Sequence, residues 1–126
     1  MKGGFEGLKV FELAYECAME IFRASKDFPK EEKYSLTDQI LRSSRSVCAN
    51  TAEAYRKRRY FKHYVMKLTD ADGEASETIV WLNFAKDCDY MTSEAFDSLY
   101  ARYGEIGKLL GFMIANPDKF GAASNC

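Results

Sequence analysis

Leu8, Phe11, Tyr15, Ala18 and Phe22 recur at alternating steps of three and four residues, and Val10, Ala14, Cys17 and Ile21 widen the same stripe. Helical spacing puts these positions on one face, so the pattern predicts a helix over about 6–27. Phe28-Pro29 ends it, because the residue before a proline is driven out of the helical region. A second helix is predicted over about 35–57. Ser35 offers a hydroxyl cap, and Asp38, three positions on, suits the positive end of the helix dipole. Its apolar face is Leu36, Ile40, Val47 and Thr51, thinned by Ser43, Ser44 and Ala54, small residues that let a neighbouring helix approach closely. A third helix, about 60–89, carries Phe61, Tyr64, Leu68, Ala71, Ala75, Ile79 and Leu82 at helical steps. Arg56-Lys57-Arg58-Arg59, before it, contains neither Gly nor Pro and favours helix by propensity, which leaves a short turn and a kink both open. Thr92 or Ser93 caps a fourth helix, about 93–115, with Phe96, Leu99, Tyr103, Ile106, Leu110 and Met113 inward. Gly104, Gly107 and Gly111 lie within it at about 1 kcal/mol each relative to Ala; close helix contact is the expected reason, and an unstable last helix the plainer alternative. Asn116-Pro117 stops this helix, and Gly-Ala-Ala-Ser-Asn-Cys, residues 121–126, is expected to form a flexible C-terminal tail.

Four amphipathic helices with short connections predict an all-α, antiparallel up-down-up-down four-helix bundle. At 126 residues the chain has room for one core, so residues 1–126 are read as a single domain. Nowhere do 18 apolar residues run together, and Glu6, Lys9 and Glu12 interrupt the first amphipathic segment. A membrane span and a signal peptide are therefore not expected. The cysteines at 17, 48, 88 and 126 form no C-x-x-C pair, which suggests reduced thiols in a cytoplasmic protein.

Formal net charge is −1, but the mean conceals a strong segregation. Residues 39–67 hold eight Lys and Arg against one acid, Glu53, leaving that stretch at +7 and the remainder at −8. If the second and third helices form an antiparallel hairpin turning near 58–59, Arg42 falls near Glu74, and Arg45 near Asp70 and Asp72. Those arginines then read as structural. Arg56, Lys57, Arg58, Arg59 and Lys62 lie at the hairpin tip with no acid in reach by the same register, interleaved by Tyr55, Tyr60 and Phe61. Cations hold phosphates and aromatic rings stack bases, so these five are the candidate nucleic-acid-binding residues. A merely solvated basic turn is the plainer reading. On the second helix Gln39, Arg42, Ser46, Asn50, Glu53 and Lys57 form a polar stripe. Either it is ordinary exposed surface, or Asn50 and Glu53 make a buried polar pair against another helix or subunit.

Catalytic chemistry finds little footing. His63 is the single histidine, no Glu-x-x-His motif is present for a di-iron bundle site, and Gly3-Gly4 leads into no phosphate-binding loop. Asp70, Glu74 and Glu77 share a helical stripe from which Asp72 points away, so arginine pairing explains these acids more simply than a cation site. No enzyme activity, metal or cofactor is expected.

From Phe5 to about Ile114 the chain resembles the 23S rRNA intervening sequence proteins, also called S23 ribosomal proteins. The resemblance is carried by Phe5-x-x-Leu8-Lys9-Val10-Phe11, by Phe28-Pro29 followed by Tyr34-Ser35-Leu36-Thr37-Asp38-Gln39-Ile40, and by Ser43-Ser44-Arg45-Ser46-Val47-Cys48-Ala49-Asn50-Thr51-Ala52-Glu53-Ala54. The family commonly has a second Arg where Leu41 stands, an aliphatic residue at Thr51 and Gly at Ala54. The resemblance implies a bacterial, cytoplasmic, non-enzymatic four-helix bundle. It also implies ring formation, because relatives include the accessory proteins of diversity-generating retroelements, five-fold rings associated with nucleic acid and a reverse transcriptase. The expectation is a homo-oligomer, a pentamer, that gathers copies of the basic tip to bind RNA or DNA. The alternative is a protein-protein adaptor or assembly module that does not touch nucleic acid.

Overall fold

The computed structural model describes residues 3–122 and folds into four helices: α1 Lys9–Ser25, α2 Leu36–Arg56, α3 Phe61–Asp87 and α4 Ser93–Ala115. Short 3-10 turns stand at Gly4–Gly7, Lys30–Glu32 and Pro117–Phe120, and no strand occurs among the described residues. Pairs along the helices fix the topology. Lys67 reaches Glu53 at 3.5 Å while Arg42 reaches Glu74 at 3.3 Å, so α2 and α3 run antiparallel. Tyr64 bonds the Met113 carbonyl, and Asp72 lies against Gly107, which makes α3 and α4 antiparallel as well. Lys9 pairs with Glu105 and Glu20 with Arg102, giving α1 the same sense against α4. Each helix packs on its two neighbours and not on the one diagonally opposite. The bundle is up-down-up-down.

Inside lie the fully buried Ile21, Ile40, Leu68, Leu82, Ile106 and Leu110. At about 25 cal/mol per Å2 of apolar surface removed from water, such side chains supply most of the stabilisation. Two polar contacts tie neighbouring helices: Thr78 donates to Ser43 Oγ at 2.8 Å, and the Tyr64 hydroxyl to the Met113 carbonyl at 3.2 Å.

The helix ends depart from the expected bounds for local reasons. Residues 4–7 form a separate 3-10 turn, and Leu8 is extended (φ −71°, ψ 132°) before α1 begins. Gly3, Gly4 and Gly7 weaken helix there, and Gly4 takes φ +62°. At α2 the Ser35 hydroxyl does not cap the helix. It donates to Glu32 Oε1 at 2.7 Å, and that oxygen also accepts the Leu36 N–H at 3.3 Å. The Tyr90 hydroxyl reaches the other Glu32 oxygen at 2.9 Å. These donors, the Ser35 hydroxyl first, hold the Glu32 carboxyl below its ordinary range. α4 starts on a side-chain cap, Thr92 Oγ1 accepting the Ala95 N–H at 3.1 Å. Between α2 and α3 the chain makes a short turn, with the Tyr60 N–H on the Lys57 carbonyl at 2.9 Å.

Two further expectations are corrected, and one open alternative is narrowed. Arg45 meets neither Asp70 nor Asp72. It stands on the α1 side of α2, its guanidinium over the Phe22 ring at 5.7 Å. Of the two readings of the polar stripe, a buried Asn50–Glu53 pair does not form within the subunit. The Asn50 amide donates to the Ser46 carbonyl one turn back at 3.0 Å, while Glu53 turns to Lys67. The glycines of α4 do not admit a neighbouring helix of the bundle: a Cβ at Gly104 or Gly111 would meet nothing within 4 Å, and one at Gly107 only Asp72 Oδ1 at 3.5 Å.

Candidate nucleic-acid interface

The tip is built where α2 runs out. Position 58 follows the last turn of α2, and its guanidinium folds back: Nε donates to the Tyr55 carbonyl at 2.8 Å, and the group lies 3.7 Å from the Tyr55 ring centroid. Nη1 donates to the Phe120 carbonyl at 3.0 Å, which ties the tip to the C-terminal 3-10 turn. That turn is docked rather than loose. Gly121 adopts φ +75°, the Ala122 N–H bonds the Pro117 carbonyl at 2.9 Å, and Ala122 is buried. Gly121 and Ala122, expected to open a frayed tail, are therefore held in place, and residues 123–126, the rest of that expected tail, lie outside the described part of the chain.

Arg56, Arg59 and Lys62 are exposed, Lys57 and Arg58 half-buried, and none of the five forms an ion pair among the described residues. Tyr60 is exposed, with the ring of His63 set edge-on at 6.2 Å. Tyr55, Arg56, Arg58, Arg59 and Tyr60 line an open depression of about 660 Å3, completed by Gly121 and Ala122. A second depression, about 560 Å3, shares Tyr55, Arg56 and Arg58 and is rimmed by the N-terminal turn, where Glu6 is its one acid.

Gln39, Arg42, Ser46, Asn50, Glu53, Asp70 and Glu74 are not brought to this tip. Arg42 spans two acids of α3, Glu74 and Glu77, and the Trp81 N–H at 3.1 Å together with Arg42 holds the Glu77 carboxyl below its ordinary range. Asp70 is exposed. The sequence reading missed the contribution of Phe120, Gly121 and Ala122. A glycine closing a proline-initiated turn is a recognised stop signal, but nothing local says what the turn docks against.

The arrangement offers cations, hydrogen-bond donors and rings. Among the described residues no group of three or more His, Cys, Asp or Glu could hold a metal ion. Burial pushes the thiols of Cys17 and Cys48 up to about 11, far from the thiolate a nucleophile requires. No described helix is long and apolar enough to cross a membrane. A separate groove between α1 and α2, about 390 Å3, is lined mainly by apolar side chains including Tyr15, Met19 and Ala52.

Comparison with known proteins places this geometry. No curated protein sequence matches the chain significantly. A crystal structure of a protein of unknown function from the S23 ribosomal protein family of Bacteroides thetaiotaomicron VPI-5482 superposes with a TM-score of 0.75 at 34% identity, covering 84% of this chain and 95% of that one. The sequence profile of the 23S rRNA-intervening sequence proteins matches residues 6–111. With the profile spanning most of the bundle and a solved family member sharing its fold, the chain belongs to the 23S rRNA-intervening sequence protein family.

Proposed function

We propose that the protein is a non-enzymatic, homo-oligomeric bundle of the cytoplasm, a pentamer, that binds RNA or DNA through the basic tip between α2 and α3. The observation that carries this reading is the group of cations at the tip. Among the described residues Arg56, Lys57, Arg59 and Lys62 have no acidic partner, whereas Arg42 and Lys67 on the same two helices are paired. Phosphate oxygens are the natural counter-charge, and the exposed Tyr60 ring supplies a stacking surface. The acidic remainder of the chain keeps a strand away from other faces, so contact is confined to the tip.

The adaptor reading draws support from one different observation, the apolar groove between α1 and α2 with Tyr15 and Met19 exposed. Ring assembly can cover the same surface, so the groove alone does not favour a foreign protein. The test is fluorescence anisotropy with labelled single-stranded RNA and DNA over a salt series. It compares wild type with the combined Arg56→Gln, Lys57→Gln, Arg59→Gln and Lys62→Gln variant, which leaves Arg58 in place. Log affinity for wild type should fall linearly with log salt, and the slope should shrink by about 0.7 for each phosphate contact removed. Wild-type binding without salt dependence, or equal binding by the variant, overturns the proposal and leaves the adaptor.

A further inference from the structure

The depression at the tip is a more particular object than a basic surface. Three arginines, Arg56, Arg58 and Arg59, line it, and among the described residues no acidic side chain does. One of them is held rigid before any ligand arrives. The hydrogen bonds of Arg58 among the described residues use Nε and Nη1, on two carbonyls 65 residues apart in sequence, and leave Nη2 uncommitted. Its plane is further fixed by the Tyr55 ring. The backbone of the C-terminal turn makes room for this: a Cβ at Gly121 would sit 3.1 Å from Arg58 Nη1, at a φ of +75° that other residues rarely adopt. A volume of about 660 Å3 is within the range of sites for small ligands, about 300 to 1,000 Å3.

We infer that this depression seats a terminal phosphate monoester together with its base, either a free nucleoside monophosphate or the phosphorylated end of a strand. The inference rests on the nucleic-acid reading of the same tip and narrows it. An interior phosphodiester carries one negative charge, and a monoester close to two at neutral pH, so the monoester gains more from a depression lined by three arginines. Arginine also presents paired N–H groups that match two phosphate oxygens at once. Because Arg58 is ordered in advance, its side-chain entropy is not lost again on binding. The ring of Tyr60, at the edge of the depression and exposed, is the surface on which the attached base stacks.

The experiment measures anisotropy for one short single-stranded RNA sequence in three forms: 5′-phosphorylated, 3′-phosphorylated, and with hydroxyls at both ends. One phosphorylated form should bind about ten-fold or more tightly than the hydroxyl form, the worth of one charge-assisted hydrogen bond. Adenosine monophosphate is then added as competitor against adenosine. Displacement by the monophosphate alone assigns the seat to a free nucleotide, and its failure assigns it to a strand end. Arg58→Lys keeps the charge but cannot hold both carbonyls and the ring together, so it should abolish the preference for a phosphorylated end with the salt slope little changed. Where that variant has lost its fold by circular dichroism, the exposed pair Arg56→Gln and Arg59→Gln answers the same question. Equal affinity for all three wild-type forms, with salt-sensitive binding intact, overturns this inference and leaves the broader proposal standing. Absence of binding to every form overturns both.

Discussion

Arg56, Arg58 and Arg59 stand within four positions and do different physical work. Arg56 and Arg59 extend into solvent, whereas Arg58 is stacked on Tyr55 and donates to the Tyr55 and Phe120 carbonyls. Nothing in the run of basic residues distinguishes them, because the deciding partner, Phe120, is 62 residues away. Arg42 and Arg45 show the converse. Antiparallel register alone placed Arg42 by Glu74, but the same arithmetic sent Arg45 to α3, when its position around the helix faces Phe22 of α1. Register along a hairpin is readable from sequence, and the angular position of one side chain between two neighbours is less so. Removing Arg58 with Arg58→Ala deletes two charge-assisted hydrogen bonds and a cation–π contact. It should destabilise the fold by about 1–3 kcal/mol, with partial exposure keeping the loss toward the lower end. Arg59→Ala should stay within about 0.5 kcal/mol of wild type. Urea midpoints of the two variants decide it, and equal midpoints would show that the Arg58 contacts contribute nothing to stability.

Among the helices, type and approximate extent followed from the spacing of apolar residues, and α4 came out at Ser93–Ala115, capped by Thr92, one of the two residues the sequence offered. Ends controlled from outside the helix were harder. The start of α2 is held by Glu32, which lies in the preceding 3-10 turn and is itself held by Tyr90 from beyond α3, so a hydroxyl at Ser35 gave a misleading cap. The glycines of α4 gave the wrong inference for a related reason. Helical spacing shows that Gly104 and Gly111 lie close to one face, but not whether anything stands opposite. In the bundle nothing does. Gly104→Ala and Gly111→Ala should therefore each stabilise the chain by about 1 kcal/mol, since alanine restricts the unfolded backbone and meets no obstacle. Thermal unfolding measures this, and a fall in midpoint for either variant would mean that another surface occupies the face.

At the scale of the molecule, the segregation of charge was legible from composition along the chain, and its placement at one end of the bundle followed once α2 and α3 formed a hairpin. The C-terminal turn that completes the depression was not, because a Pro-initiated 3-10 segment carries no information about its dock. A single tip gives few phosphate contacts, and non-specific binding with few contacts sits at dissociation constants of about 10⁻⁴ to 10⁻⁶ M. On the proposed reading the acidic remainder of the chain adds no further contact and repels a strand that strays from the tip. Useful affinity at physiological salt then requires several tips on one strand, where linkage of sites raises avidity by about 10² to 10⁴ without any new contact. This is the physical reason for expecting an assembly. Sedimentation velocity at micromolar concentration should show a species several times 14.4 kDa. A strand long enough to reach more than one tip should bind more tightly than a short one by about 10² or more, and dilution that dissociates the assembly should remove the difference. A stable monomer, or equal affinity for long and short strands by an intact oligomer, would leave each tip acting alone and set nucleic-acid binding at the weak end of that range.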